Sequence, residues 1–368
     1  MITEVPDQGE KPMRLEWYND VNGFDALHAE WEALLQRSAT DVLFLTWGWQ
    51  RAWWNVFGEG KNLRLLAMRD ESGHLIGIVP LFIQDTSLDL DALLPDISVE
   101  NPLELGKGEV QRTVHLVGGT EVSDYLDSIA PPKSHREITA AFLDALASEE
   151  DWDILDLRSL PSASPTVSTV TELARARGWD VQQAREDVCP VLELPGTWEE
   201  YLTTKLNKKR RHELRRKMRR AEREARVDWY WIDADNMEQG LDVFIHLHKA
   251  SAPDKEAFMD EHMEGFFRAV ARFALDKDWL RLSVLRFDGQ AVASYLCFDY
   301  GGDRLVYNSG FDLSTYAHLS PGIVLLGYLI DDAIQCGCKR FDFLQGDERY
   351  KYDLGATDTE VLRLFIRP

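Results

Sequence analysis

The residues from Tyr307 to Lys351 constrain the fold more than any other stretch of the chain. Tyr307-Asn-Ser-Gly-Phe-Asp312 reads as a strand, Ser320-Pro-Gly322 as a helix start, and Arg340-Phe-Asp-Phe-Leu-Gln-Gly346 as a strand with a polar turn before Tyr350-Lys351. Ser320 suits the N-cap, where its hydroxyl can accept from a first-turn amide. Pro321 suits the first helical position, where a missing N–H costs nothing. Ile323, Leu326, Ile330, Ala333 and Ile334 recur at helical spacing, and Gly337 marks the stop. Phe341-Asp342-Phe343-Leu344 then reads as a short buried strand. The amides of Gly322 and Ile323 face out at the positive end of this helix, which favours a phosphate or carboxylate. An ordinary capped helix packed on a sheet gives the same signs, so the caps alone decide nothing.

The chain's 368 residues suffice for two domains, and 45% hydrophobic content supports sizeable cores. No apolar run reaches the roughly 20 residues needed to span a bilayer. The N-terminal residues lack an apolar signal core and carry early acids, so the expected location is cytoplasmic. Cys189, Cys297, Cys336 and Cys338 fit no metal spacing and are expected as reduced packing residues. No metal is expected. His246 and His248 lie in a helical pattern without a nearby acid pair, which argues against a ligand role.

The net charge of -22 is unevenly spread: residues 205–226 hold 12 Lys or Arg and 3 acids. One dense basic helix on an acidic protein can attract RNA, a CoA phosphate or the protein's own acidic surface. Thr197-Trp-Glu-Glu200 is a capping box that starts it after the boundary Pro195-Gly196. Leu202, Leu206, Leu214, Met218, Ala221 and Ala225 form one thin apolar stripe, with Arg210 in its gap, so Arg210 is expected to turn toward a ligand or a buried acid.

Before this helix, the pattern predicts a strand over 13–18, helices over 24–37 and 46–57, and a hairpin of 63–69 with 75–83. A polar loop over 84–112, a strand from Val114, a helix over 135–148, and strand, helix and strand to 194 follow. After it come a strand over 227–232, helices over 236–250 and 256–276, and strands over 279–287, 290–299 and 304–309. The Tyr307–Lys351 stretch and a last strand over 360–366 close the chain. The expected architecture is therefore α/β (α+β), with two similar domains, 1–195 and 227–368, joined by a basic helix over 196–226.

Several stretches together resemble the Fem-like branch of the GNAT acyltransferase superfamily, in particular its CelD-like (BioF2-like) acetyltransferase group. They are Thr46-Trp-Gly-Trp-Gln-Arg-Ala-Trp-Trp54, Leu75-Ile-Gly-Ile-Val-Pro-Leu81, Ser123-Asp-Tyr-Leu-Asp127, the basic run 206–220 and the C-terminal series above. The resemblance spans roughly residues 14 to 366. It implies two tandem GNAT-like domains, each a mixed, mostly antiparallel sheet flanked by helices, with the second domain carrying the acyl-donor site. The donor it implies is acyl-CoA (acetyl-CoA), with aminoacyl-tRNA as the alternative used by peptidoglycan-building Fem relatives. Where CoA-binding members carry a Gln/Arg-x-x-Gly-x-Gly/Ala loop, this chain has Tyr316-Ala-His-Leu-Ser-Pro-Gly322.

The implied reaction is N-acyl transfer to an amine of a small molecule, amino sugar or cell-envelope precursor, which needs a placed amine, a base and an oxyanion donor. The resemblance makes Asp347, Glu348, Lys351 and Tyr350 the catalytic candidates. Ser320, Gly322, Ile323 and Tyr307 are candidates for the donor. Asp124, Tyr125, Asp127, Arg210, Arg211 and Asp342 are candidates for the acceptor. Two other functions fit the same residues: a tRNA-dependent transferase of Fem type, motivated by the basic helix, and a non-catalytic binding protein that lacks the glycine loop. Acceptor identity, acyl length and oligomeric state stay open.

Overall fold

The computed structural model describes residues 13–87, 110–312 and 314–368. The chain divides into two compact units. The first comprises residues up to 54, residues 58–186 and Leu362–Pro368; the second comprises Asn55–Phe57 and Asp187–Val361.

In the first unit, β1 (Arg14–Tyr18), α1 (Asn22–Leu35) and α2 (Trp47–Phe57) precede a meander of β2 (Asn62–Arg69), β3 (Leu75–Ser87) and β4 (Val110–Leu116). Then come α3 (His135–Ala147), β5 (Ile154–Pro161) and α4 (Pro165–Ala176). The strands lie in the order β1-β2-β3-β4-β5. Neighbours are antiparallel except β4 and β5, which run parallel over Thr113–His115 and Ile154–Asp156. Of the loop expected over 84–112, residues 84–87 and 110–112 belong to β3 and β4, and 88–109 lie outside the described residues.

The elements form for simple reasons. In α1, Phe24, Leu27, Trp31, Leu34 and Leu35 recur every three or four residues and are fully buried. In α2, Trp49 and Trp53 are each 1% exposed, so the tryptophan-rich segment is core. Full burial of such side chains stabilises by roughly 1.5–3 kcal/mol each.

The second unit repeats this plan. β6 (Asp180–Glu193) enters it at Asp187, and a short turn of helix at Trp198–Glu200 leads to α5 (Lys208–Glu224) and β7 (Val227–Trp231). Helices α6 (Met237–Ser251), α7 (Pro253–Phe258) and α8 (Glu261–Asp276) precede the meander β8 (Leu280–Phe287), β9 (Gln290–Tyr300) and β10 (Asp303–Phe311). Then come α9 (Pro321–Gln335), β11 (Arg340–Asp342), α10 (Arg349–Asp353) and β12 (Thr357–Arg367). The order is β6-β11-β10-β9-β8-β7, and only β10 and β11 are parallel.

The basic helix differs from its expected form. Thr197 does cap the first turn, its hydroxyl accepting from Glu200 N at 3.2 Å. The helix then stops at Leu206, whose backbone is extended, and restarts with Asn207 as cap. Leu206 and Leu214, on the two sides of the break, both enter the core of the second unit. The segment therefore packs inside the second unit, against α9. The expected helix 256–276 is likewise two, because Asp260 caps a fresh start by accepting from Met263 N. The stretch Ala317–Gln335, 19 residues long, is by length and composition able to cross a bilayer. Here it is the core helix of the unit, with Val324, Leu325, Leu326, Leu329, Ile330 and Ala333 fully buried.

Candidate functional site

In the second unit, β10 and β11 hold parallel register only over Asp303–Leu305 and Arg340–Asp342. Beyond Leu305, β10 continues to Phe311 while the chain after Asp342 turns away, so the two strands part. The pairing of β10 with β9 shifts between Val306 and Asn308, leaving Tyr307 as a bulge residue at the mouth of the gap. Its ring packs on Phe267 and Phe298, with centroids 5.4 and 5.7 Å away.

The far part of β10 presents an edge that no strand among the described residues covers, and side chains from α6 and α7 close it. The Ser309 carbonyl accepts from His248 Nδ1 and from Lys255 Nζ, both at 3.0 Å. Phe311 N donates to Ser251 Oγ at 2.7 Å. Gly310 permits this approach, because a Cβ there would collide with the backbone of His248. Since His248 Nδ1 faces a carbonyl, it carries the proton, and Nε2 is an acceptor with no hydrogen-bond partner among the described residues. Burial lowers the His248 pKa to about 4 and also lowers that of Lys255. The sequence argued against a role for His248 and was silent on Lys255; only the crossing of α6 over β10 brings them here.

Helix α9 starts beside this gap, but not as its cap residues suggested. Ser320 is left-handed (φ 54°) and makes no capping bond through its side chain. Its hydroxyl instead accepts from Lys217 Nζ at 2.7 Å. The first intrahelical bond runs from Val324 N to the Ser320 carbonyl. Pro321 has no N–H, so the amides of Gly322 and Ile323 are the donors ahead of that bond. Gly322 is needed because a Cβ would lie 2.6 Å from Phe311 Cε1. Lys217 was one cation among many in the basic run, and nothing in its spacing set it apart.

The polar turn after β11 gathers the other candidates. Lys351 is 2% exposed. Its Nζ donates to the carbonyls of Leu344, Gln345 and Gly346 at 3.1, 2.7 and 3.0 Å and pairs with Glu348 at 2.9 Å. These bonds hold the turn that presents Asp347 and Glu348, both exposed. Burial raises the Tyr350 hydroxyl pKa well above its ordinary value, so it stays protonated. Asp342 stabilises the same turn, accepting from Leu344 N at 2.8 Å, rather than facing an open site.

The other acceptor candidates are placed differently from expectation. Asp127 is 1% exposed. It accepts from Thr40 Oγ1 and Thr166 Oγ1, each at 2.5 Å, from Ser128 N at 2.7 Å and from Ser164 Oγ. A carboxylate with four donors is a buried knot tying α4 to its surroundings. Tyr125 is 9% exposed and packs on Phe44, while Asp124 is half-buried. Arg210 does not turn inward; it pairs with Asp353 at 3.2 Å, and Arg211 reaches the Leu202 carbonyl at 3.4 Å. The structure thus groups Tyr307, Ser320, Gly322, Ile323, Asp347, Glu348, Tyr350 and Lys351 in one unit and leaves Asp127 and Tyr125 in the core of the other.

Residues 208–352 match the family model of the acetyltransferase (GNAT) domain. No curated protein matches the chain's sequence significantly. Among solved structures, FemX superposes over 92% of this chain and 95% of its own with a TM-score of 0.61 at 12% identity. L-PGS from Bacillus licheniformis does so over 98% and 94%, with a TM-score of 0.55 at 11% identity. A conserved protein of unknown function from Bacteroides thetaiotaomicron does so over 96% and 100%, with a TM-score of 0.54 at 12% identity. The parted parallel strands, the helix start beside them and the matched domain agree: residues 208–352 form a GNAT domain, and the chain as a whole shares the fold of FemX.

Proposed function

We propose that the protein is an N-acyltransferase that moves an acyl group from acyl-CoA to an amine of a small molecule, an amino sugar or a cell-envelope precursor. One observation carries this reading: a lysine ammonium stands at the positive end of α9. Lys217, which only Glu213 approaches, at 3.8 Å, and the amides of Gly322 and Ile323 put like charge together among the described residues, an arrangement that a bound anion relieves further. The diphosphate of a CoA donor supplies that anion, and Ser320, Gly322, Ile323 and Lys217 are the residues to hold it.

The chemistry asks little more of the protein. The amine nitrogen attacks the thioester carbonyl, a C–N bond forms, the C–S bond breaks, and the amine gives up a proton while the thiolate gains one. Asp347, exposed on the turn after β11, is the accessible base. Tyr350, held protonated by burial, suits the proton donor. Lys351 and Asp342 position the turn.

The competing donor is aminoacyl-tRNA. It is favoured by Lys208, Lys209 and Arg219, exposed on α5 with no carboxylate partner among the described residues. Against it, Arg210, Arg215, Arg216, Arg220 and Arg223 are already paired with acids. The test is thiol release from acetyl-CoA in the presence of amine and amino-sugar panels, with Asp347→Asn expected to lower kcat by about tenfold or more. Absence of release, together with salt-sensitive tRNA binding, would replace this reading by the tRNA-dependent one.

A further inference from the structure

The reaction proposed above leaves His248 and Lys255 unused. The Ser309 carbonyl accepts from both, at 3.0 Å each. One donor satisfies a buried carbonyl, and the neutral His248 ring, 2% exposed, already supplies it. The second donor is a charge that the carbonyl does not need. The half-buried Lys255 ammonium lies over the Phe311 ring, 5.6 Å from its centroid. No carboxylate among the described residues pairs with it; its partners are this carbonyl and this ring. Glu348 is already held by Lys351 at 2.9 Å. Asp254 and Glu348 favour the Lys255 charge from a distance, yet burial outweighs them and lowers its pKa. An ammonium partly withdrawn from water onto a neutral partner is under-compensated, because desolvation costs more than one carbonyl returns.

The position of Lys255 ties it to the gap between β10 and β11. Ser309 lies beyond the point where the two strands part. The Phe311 ring beneath the ammonium is the one that Gly322 must clear at the start of α9. The turn bearing Asp347 and Glu348 follows β11, and Glu348 acts on the Lys255 charge from there. An ammonium has three donors; one goes to Ser309, which leaves two for a ligand. The two nearby acids repel a dianion more than a monoanion. A phosphate is therefore better served by the start of α9, and a carboxylate by Lys255.

We infer that the acyl acceptor is an amine that also carries a carboxylate, and that Lys255 binds that carboxylate. The assignment builds on the acyl transfer proposed above and narrows its acceptor to amino acids and related amino carboxylic acids. The bonds made and broken stay those of that transfer. Lys255 sets specificity, since an amide of the same amine loses the charge-assisted contact and leaves the ammonium uncompensated.

The standard L-amino acids, β-alanine and γ-aminobutyrate, each beside its amide, test this on the full chain. In the thiol-release assay at least one acid is expected to exceed its amide by about tenfold or more in kcat/KM. Lys255→Gln keeps a donor for the Ser309 carbonyl but no charge. It should bring that ratio to about one by raising the acid's KM, whereas Lys255→Arg should keep most of the preference. Calorimetry with the same compounds at about 10 mM, with and without CoA, gives a readout that needs no turnover. Carboxylate-dependent binding that Lys255→Gln abolishes, without thiol release, supports the carboxylate site and removes the acyl transfer. Equal release with acids and amides does the reverse and overturns the inference. So does a ratio unchanged in Lys255→Gln, a rise in the acetyl-CoA KM in place of the acceptor KM, or binding by none of the acids.

Discussion

Lys217 Nζ lies 2.7 Å from Ser320 Oγ, joining α5 to the start of α9. Glu213 is 3.8 Å from the same ammonium, so the cation is shared between an acid on its own helix and the positive end of another. If this end receives the donor's phosphates, Lys217→Ala should raise the donor KM by about tenfold and leave kcat within a factor of about two. Steady-state kinetics at varied acetyl-CoA separates the two constants, and an equal fall in kcat alone would remove Lys217 from the donor site.

Lys351 is expected to matter through stability first. Lys351→Met leaves the carbonyls of Leu344, Gln345 and Gly346 without their donor, at a cost of about 2–4 kcal/mol. Urea unfolding with an unchanged slope measures it. A variant that keeps wild-type stability but loses turnover assigns the ammonium to the chemistry instead.

His248 predicts an acid limb of stability. Its pKa falls from 6.5 in the unfolded chain to about 4 in the fold because burial penalises the charged ring. Between these values the unfolded state binds more protons, so stability is complete above about pH 6.5 and declines as pH falls toward 4. The full loss is about 3 kcal/mol. Burial lowers the pKa of His115 and His135 as well, so they act in the same direction. Denaturant midpoints against pH for His248→Gln should show a shallower decline than wild type; a curve of unchanged depth would count against a buried neutral ring.

Arg304 is fully buried and spans Asp299 at 2.7 and 2.9 Å, Asp332 at 2.6 Å and the face of Trp231. Burial opposes its charge, yet the two carboxylates outweigh that and raise its pKa. Arg304→Met strands Asp332, leaves Asp299 to Arg281 alone at 2.8 Å, and should destabilise by about 3–5 kcal/mol. Chemical denaturation reads this directly. Replacing Asp332 by Asn in the same background should recover part of the loss, since the stranded charge then disappears.

Much of the plan was legible in the chain. Alternating strands and the Asp288-Gly289 turn, whose two residues have φ of 52° and 89°, gave the β8–β9 hairpin at its proper place. The helical span over 46–57 was legible too, and its Trp49 and Trp53 are core while Trp47 and Trp54 are half-buried. Single positions were harder. Ser320 has the right chemistry for a cap, but a left-handed backbone turns its hydroxyl toward Lys217. Asp127 looked like an acceptor group because sequence does not show that Thr40, Ser164 and Thr166, distant along the chain, converge on it.

Local order determined the element types, the two similar halves and the strand–helix–strand stretch at the end, since propensity, caps and periodicity act within a few turns of backbone. Tertiary structure decided which charges meet. It set Lys217 at the start of α9, His248 and Lys255 on the Ser309 carbonyl, and Lys351 on three carbonyls of its own turn. Those contacts depend on helix crossings and on where parallel strands part. Packing of distant segments fixes both, and no pattern within a single segment encodes them.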